Sequence, residues 1–188
     1  GSGTVALLEI AEAFKLAFDD GKGPKRSLVF LHFTGEEKGL LGSKFYTENP
    51  LYPLPSTIAD LNIDMIGRIN PKRNSNNPNY IYLIGSDKIS MELHNISEEI
   101  NEKYTQLELD YTYNKEDDPN RFYYRSDHYN FAKNNIPVIF YFSGTHEDYH
   151  KISDTADKIL YSILEKRTKL IFHTAWELAN REEKIKID

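Results

Sequence analysis

Three short apolar runs, each closing on a turn that carries a carboxylate or an imidazole, constrain this chain more than any other feature. Ser27 to Phe33 leads into Thr34-Gly35-Glu36-Glu37-Lys38-Gly39-Leu40-Leu41-Gly42-Ser43, Ile58 to Met65 carries Asp64 and leads into Gly67-Arg68, and Ile136 to Ser143 leads into His146-Glu147-Asp148-Tyr149-His150. Runs of this length, rich in aliphatic and aromatic residues and bounded by turn signals, suit buried strands. Between them lie stretches with apolar residues three to four apart, so strand alternates with helix and the class is α/β. Ligands of open α/β sheets gather at the carboxyl ends of strands, which is where these acids and the histidine fall.

Two adjacent acids leaving a strand can divide the work at a metal: one binds it, and the other, uncoordinated, takes a proton from the metal's water. Glu36 and Glu37 equally suit the first turn of a helix that begins near Lys38, where acids complement the positive helix end. With no cysteine in 188 residues, thiolate sites and disulfides are excluded, and a metal must use His, Asp, Glu or water. The net charge of −6, from 23 basic and 29 acidic residues, argues against a nucleic-acid surface. Hydrophobic residues at 39% and charged residues at 28% suit a globular domain, and no apolar run approaches the roughly 18 residues a membrane span needs.

The order of elements follows from the same patterns. Ser2 or Thr4 can cap a first helix carrying Val5, Leu8, Ala11 and Phe14 to Leu16, ended by Gly21-Lys22-Gly23-Pro24. After the strand at 27–33 come a short helix at 40–46, a strand at 58–65, a polar loop at 70–79 and a strand at 80–84. A helix over 86–104, an edge strand over 107–113, an acidic mobile loop at 114–120 and a helix over 127–134 capped by Ser126 precede the apolar strand at 136–142. The loop to Thr155, held by Asp154 and Asp157 as caps, feeds a long final helix that buries Ile159, Ile163, Leu170, Ile171, Ala175 and Leu178. A single domain over 1–188 is expected, with the ends of strands 27–33, 58–64 and 136–143 together. The chain opens without methionine and almost directly into a helix, which reads as the C-terminal part of a longer domain.

Taken in order, FTGEEKGLLGS, NIDMIGR, YRSDHYNFAKNNIPVIFYFSG and HEDYHKISDTADKI resemble the zinc-dependent aminopeptidase family, which includes bacterial leucyl aminopeptidases, glutamate carboxypeptidase and, more distantly, glutaminyl cyclase. GSGTVALLEIAEAF resembles the helix that follows the family's Asp-Asn metal loop, so the likeness runs from Gly1 to about Ile159. The resemblance implies a three-layer fold, helices about a mixed and mostly parallel sheet, lacking its N-terminal strands here. It implies two zinc ions, with Glu37 and His150 on one and Asp64 on the other, Glu36 as general base and Tyr149 as donor to the oxyanion. Asp127 and His128 match the family's Ser-Asp-His segment, where Asp127 orients a neighbour or His128 touches substrate.

The family's first histidine ligand and bridging aspartate would lie upstream of Gly1. Residues 1–188 alone are therefore expected to bind zinc weakly or not at all and to show little peptidase activity. The implied function is a zinc exopeptidase, most simply an aminopeptidase that hydrolyses the N-terminal peptide bond by metal-activated water, exported as many bacterial members are. The alternatives are a cyclase of the glutaminyl type, using one zinc, and a non-catalytic binding module on the same scaffold.

Overall fold

The structure, a computed structural model describing residues 1–188, is built on a four-stranded sheet in the order β1-β4-β2-β3. The strands are β1 (Asp60–Ile63), β2 (Tyr80–Ile84), β3 (Glu108–Asp110) and β4 (Val138–Phe142), and the helices are α1 (Ser2–Asp19), α2 (Leu41–Glu48), α3 (Met91–Ile100), α4 (His128–Ala132) and α5 (Tyr161–Asn180). β1 runs parallel to β4 and β2 parallel to β3, whereas β2 and β4 pair antiparallel. This is the mixed sheet with helices that the patterns imply.

Alternation along the strands assigns the two faces. Ile81, Leu83, Ile139 and Tyr141 turn to one side and join Ala6, Ile10 and Phe14 of α1, Leu93 and Ile96 of α3, and Leu164, Leu170 and Ile171 of α5 in the main core. Tyr80, Tyr82, Ile84, Phe140 and Phe142 turn to the other side and pack with Phe122. Every residue of β2 and β4 is buried, as expected of strands covered on both faces.

The structure corrects the sequence reading in several places. Residues 27–33 are extended but form no strand, because no backbone partner lies beside them. Ser2 does not cap α1; its hydroxyl accepts from the Ile66 amide at 3.1 Å and ties the helix start to the loop after β1. The helix expected from Ser86 begins at Met91, after Ser90, whose hydroxyl accepts from the Leu93 amide at 3.2 Å. The expected edge strand over 107–113 shrinks to β3, as residues 112–114 wind into a 3₁₀ turn. The acidic loop that follows is held rather than mobile: Asn114 and Asp118 are buried, Asn114 accepting from the Gly85 amide at 2.7 Å and Asp118 from the Phe122 amide at 3.1 Å.

Candidate active site

Glu36 and Glu37 sit on a 3₁₀ turn, Glu36–Lys38, bracketed by Gly35 at φ +67° and Gly39 at φ +102°, backbone conformations that glycine adopts without a Cβ clash. The next glycine serves a different need. A Cβ on Gly42 would lie 2.7 Å from both the Thr34 nitrogen and oxygen, so α2 can approach the turn and donate its Gly42 amide to Thr34 O at 2.8 Å only without a side chain. Leu40, Met65 and His150 all hold positive φ, at 57°, 56° and 59°. For non-glycine residues this is strained backbone, and here it falls in each of the three turns that carry the candidate residues.

The turns converge. His150 Nε2 lies 2.7 Å from Glu37 Oε1, and Tyr149 stacks on the His150 ring with centroids 3.8 Å apart. Asp64, at the end of β1, accepts a hydrogen bond from Ser126 Oγ at 3.1 Å, and Ser126 in turn accepts from Asn62 Nδ2 at 2.9 Å. Asp127 accepts from Ser43 Oγ of α2 at 2.5 Å. Ser126 therefore holds Asp64 rather than capping α4, whose start has no side-chain cap.

Crowded carboxylates set the electrostatics. Burial, then the charges of Asp64, Glu37 and Asp127, push Glu36 up to about 7, with Arg125 opposing. Burial also raises Asp64, against the Ser126 hydrogen bond and with the Glu37 charge, and it raises Asp127 and the Tyr149 hydroxyl. Such a cluster favours a cation by the relief of like-charge repulsion. By type, carboxylate oxygen and imidazole nitrogen are zinc donors; by number, no three His, Cys, Asp or Glu side chains here stand close enough together to hold an ion.

His128 is fully buried, stacked on Phe140 at 4.7 Å, and burial lowers it to about 3. It has no access to a substrate; its Nδ1 lies 3.4 Å from Asn62 Nδ2, under the residues that hold Asp64. Asp154 and Asp157 do not cap α5, which Leu160 precedes. Asp154 bonds Arg68 instead, at 3.0 Å.

Sequence reasoning passed over the clamp on the His150 loop. Arg68 bonds Asp148 at 3.0 Å as well as Asp154, and Lys158 bonds the other Asp148 oxygen at 2.8 Å. Lys158, Ser153 and Arg68 hold the Asp148 carboxyl well below the usual carboxylate range. The signal was present, since Arg68 and Asp148 both lie inside quoted motifs, but their pairing spans 80 positions.

The model of Peptidase family M28 matches residues 1–175. The chain belongs to peptidase family M28. Leupeptin-inactivating enzyme 1 of Streptomyces exfoliatus is 34% identical over 159 residues, 84% of this chain and 31% of that protein. The LapA aminopeptidase of Legionella pneumophila superposes with a TM-score of 0.74 at 25% identity, covering 97% of this chain and 46% of LapA. The zinc aminopeptidase BSAP of Bacillus subtilis gives a TM-score of 0.72 at 23% identity, covering 99% and 43%. The chain thus spans about a third of the Streptomyces relative and less than half of these two aminopeptidase structures.

Proposed function

We propose that residues 1–188 act as one part of a zinc exopeptidase domain of the aminopeptidase type, belonging to an exported protein and acting on peptides. The observation that carries this reading is the convergence of Glu36, Glu37, Asp64 and His150 from three separate turns, with Glu37 and His150 2.7 Å apart. A binding module has no chemical need for all four.

Glu37 and His150 would hold one zinc and Asp64 the other, with the remaining ligands supplied from outside residues 1–188. Zinc, when bound, supplies Lewis acidity and a water of lowered pKa. Glu36 is the proton acceptor: it is near the ligands without pairing to His150, and its raised pKa suits a group that takes a proton from water and passes it to the leaving amine. The Tyr149 hydroxyl, kept protonated by burial, donates to the developing oxyanion. Ser126 and Asn62 orient Asp64, and Ser43 orients Asp127. Arg68 and Lys158 fix the loop that presents Tyr149 and His150.

The test is Glu36→Gln in a longer protein that carries the remaining ligands, assayed on an aminoacyl anilide and on cyclisation of an N-terminal glutamine peptide. Anilide turnover should fall by about 10²–10⁴-fold with zinc content and substrate binding retained. Near-normal kcat would remove Glu36 from its role, and cyclisation in place of hydrolysis would move the chain to the cyclase reading. Calorimetric titration of residues 1–188 with zinc should give weak binding or none; tight uptake of two ions would overturn the need for outside ligands.

A further inference from the structure

The turn that carries Glu36 and Glu37 hangs from the first turn of α2. Leu40 N donates to Glu36 O at 2.9 Å, Leu41 N to Gly35 O at 3.2 Å and Gly42 N to Thr34 O at 2.8 Å, so a shift of α2 carries the Glu36 turn with it. Leu40 itself holds φ 57° and ψ 40°, a left-handed conformation that a residue with a Cβ keeps only when its surroundings impose it. The constraint acts on its carbonyl. Leu40 O accepts from Lys44 N at 3.0 Å within α2 and from Asn130 Nδ2 of α4 at 3.2 Å.

Asn130 is buried, 2% exposed, and its amide nitrogen serves two acceptors. Nδ2 also donates to Ser43 Oγ at 2.7 Å, and Ser43 Oγ donates to Asp127 Oδ1 at 2.5 Å. A carbonyl can only accept, so the Leu40 contact fixes which way the amide faces. The serine hydroxyl has one proton, and the shorter bond to Asp127 takes it, although Leu40 O is also 3.2 Å from Ser43 Oγ. Leu40 O is therefore left to Lys44 N and Asn130. The rings of Tyr46 on α2 and Phe131 on α4, 5.9 Å apart, set the distance between the helices. Ring contact tolerates a slide; two hydrogen bonds from one rigid amide do not.

Asn130 donates its own backbone N–H to Asp127 O at 3.2 Å, and Ser126, the residue before Asp127, holds Asp64. One side chain thus joins the turn of Glu36 to the segment that holds Asp64. We propose that Asn130 is a positioning residue for Glu36: by clamping Leu40 O and Ser43 Oγ, it fixes the Glu36 turn against the segment that holds Asp64. The inference rests on the reading of Glu36 as the proton acceptor. Asn130 touches no reacting atom and acts through the place it gives Glu36. A displacement of about 1 Å at a reacting group costs on the order of 10²-fold, so loss of the clamp is read in turnover and not in substrate binding.

The experiment compares Asn130→Ala, Glu36→Gln and the double variant in a longer protein that carries the remaining ligands, assayed on an aminoacyl anilide. Asn130→Ala should lower kcat by about 10–10²-fold and change KM by about twofold or less. Because Asn130 acts through Glu36, the same substitution should cost about twofold or less once Glu36 is already Gln, whereas a general structural role would cost the same in both backgrounds. In residues 1–188, Asn130→Ala should speed hydrogen exchange at Leu40, Leu41 and Gly42 by about tenfold or more while β2 and β4 are unchanged. Asn130→Cys keeps a small buried side chain without the amide donors and supplies the same readings where the alanine variant does not fold. Near-normal kcat in Asn130→Ala beside an impaired Glu36→Gln would overturn the proposal, as would full additivity in the double variant or unchanged exchange at Leu40. Near-normal kcat in Glu36→Gln would overturn the proposal and the proton-acceptor reading together.

Discussion

The two sides of the sheet differ in completeness. On the side of β2 and β4, both strands are fully buried and both edges of each are paired, with β3 covering the outer edge of β2. On the side of β1, every strand residue is only half-buried, and residues 27–33 leave Val29 and Phe30 at 45% and 37% exposure although five of their seven residues are apolar. Apolar content alone does not make a strand. A strand needs a neighbour whose peptide groups answer its own, and the candidate active site lies along the border between the side that has this and the side that does not.

The largest effect on stability should come from a residue that locks the finished side. Arg167 of α5 is fully buried and donates through Nε to Tyr80 O at 2.8 Å and through Nη1 to Ile66 O and Arg68 O, each at 2.7 Å. No carboxylate pairs with it; the Tyr80 ring lies 5.0 Å away, and burial lowers its pKa to about 10. Arg167→Met leaves three carbonyls without donors, so we expect a loss of about 3–4 kcal/mol in urea denaturation, together with loosening of the Asp64 to Arg68 loop in hydrogen exchange. An unchanged midpoint would mean that solvent or neighbouring groups take over those carbonyls.

A matched pair of substitutions tests the comparison directly. Val138→Ala in β4 removes two methyl groups from a residue with no exposure and should cost about 2–3 kcal/mol. Val29→Ala, at 45% exposure, should cost about 0.5 kcal/mol or less. Equal costs would mean that residues 27–33 are packed as tightly as β4 and that the two sides do not differ.

What could be read beforehand divides along the same border. β2 and β4 were legible because an apolar run and a complete set of neighbours coincide within residues 1–188, and α5 because its apolar spacing matches the face it buries. Residues 27–33 also carry an apolar run, yet backbone pairing is a relation between segments, and none within the chain answers them. The candidate residues were legible as motifs. The polar bonds that orient them were not: Ser126 was read as a cap and is a donor to Asp64, and Asp154 was read as a cap and pairs with Arg68. Serine and aspartate before a helix satisfy the local capping pattern whether or not a distant partner competes, and here Asp64 and Arg68 win because they are charged and half-buried or deeper.

A pH-dependent effect probes the open side through Asp60, the first residue of β1. Burial, then the Asp127 charge, raises its pKa from 3.8 to about 7, and its Oδ2 has no partner. The sign follows from proton linkage. Between about pH 4 and pH 7 the folded chain keeps this proton while the unfolded chain releases it, so the contribution of Asp60 to stability falls as pH rises through that window and stays at its low value above it. Asp60→Asn cannot ionise, so the variant should match the wild type near pH 4 and exceed it by about 2 kcal/mol at pH 8, the partial exposure of the residue as a whole keeping the gain modest. The measurement is urea denaturation of both proteins at pH 4, 6 and 8. Parallel stability curves for the two would show that Asp60 ionises as readily in the folded chain as in the unfolded one and would remove the buried, partnerless carboxyl from the contrast between the two sides.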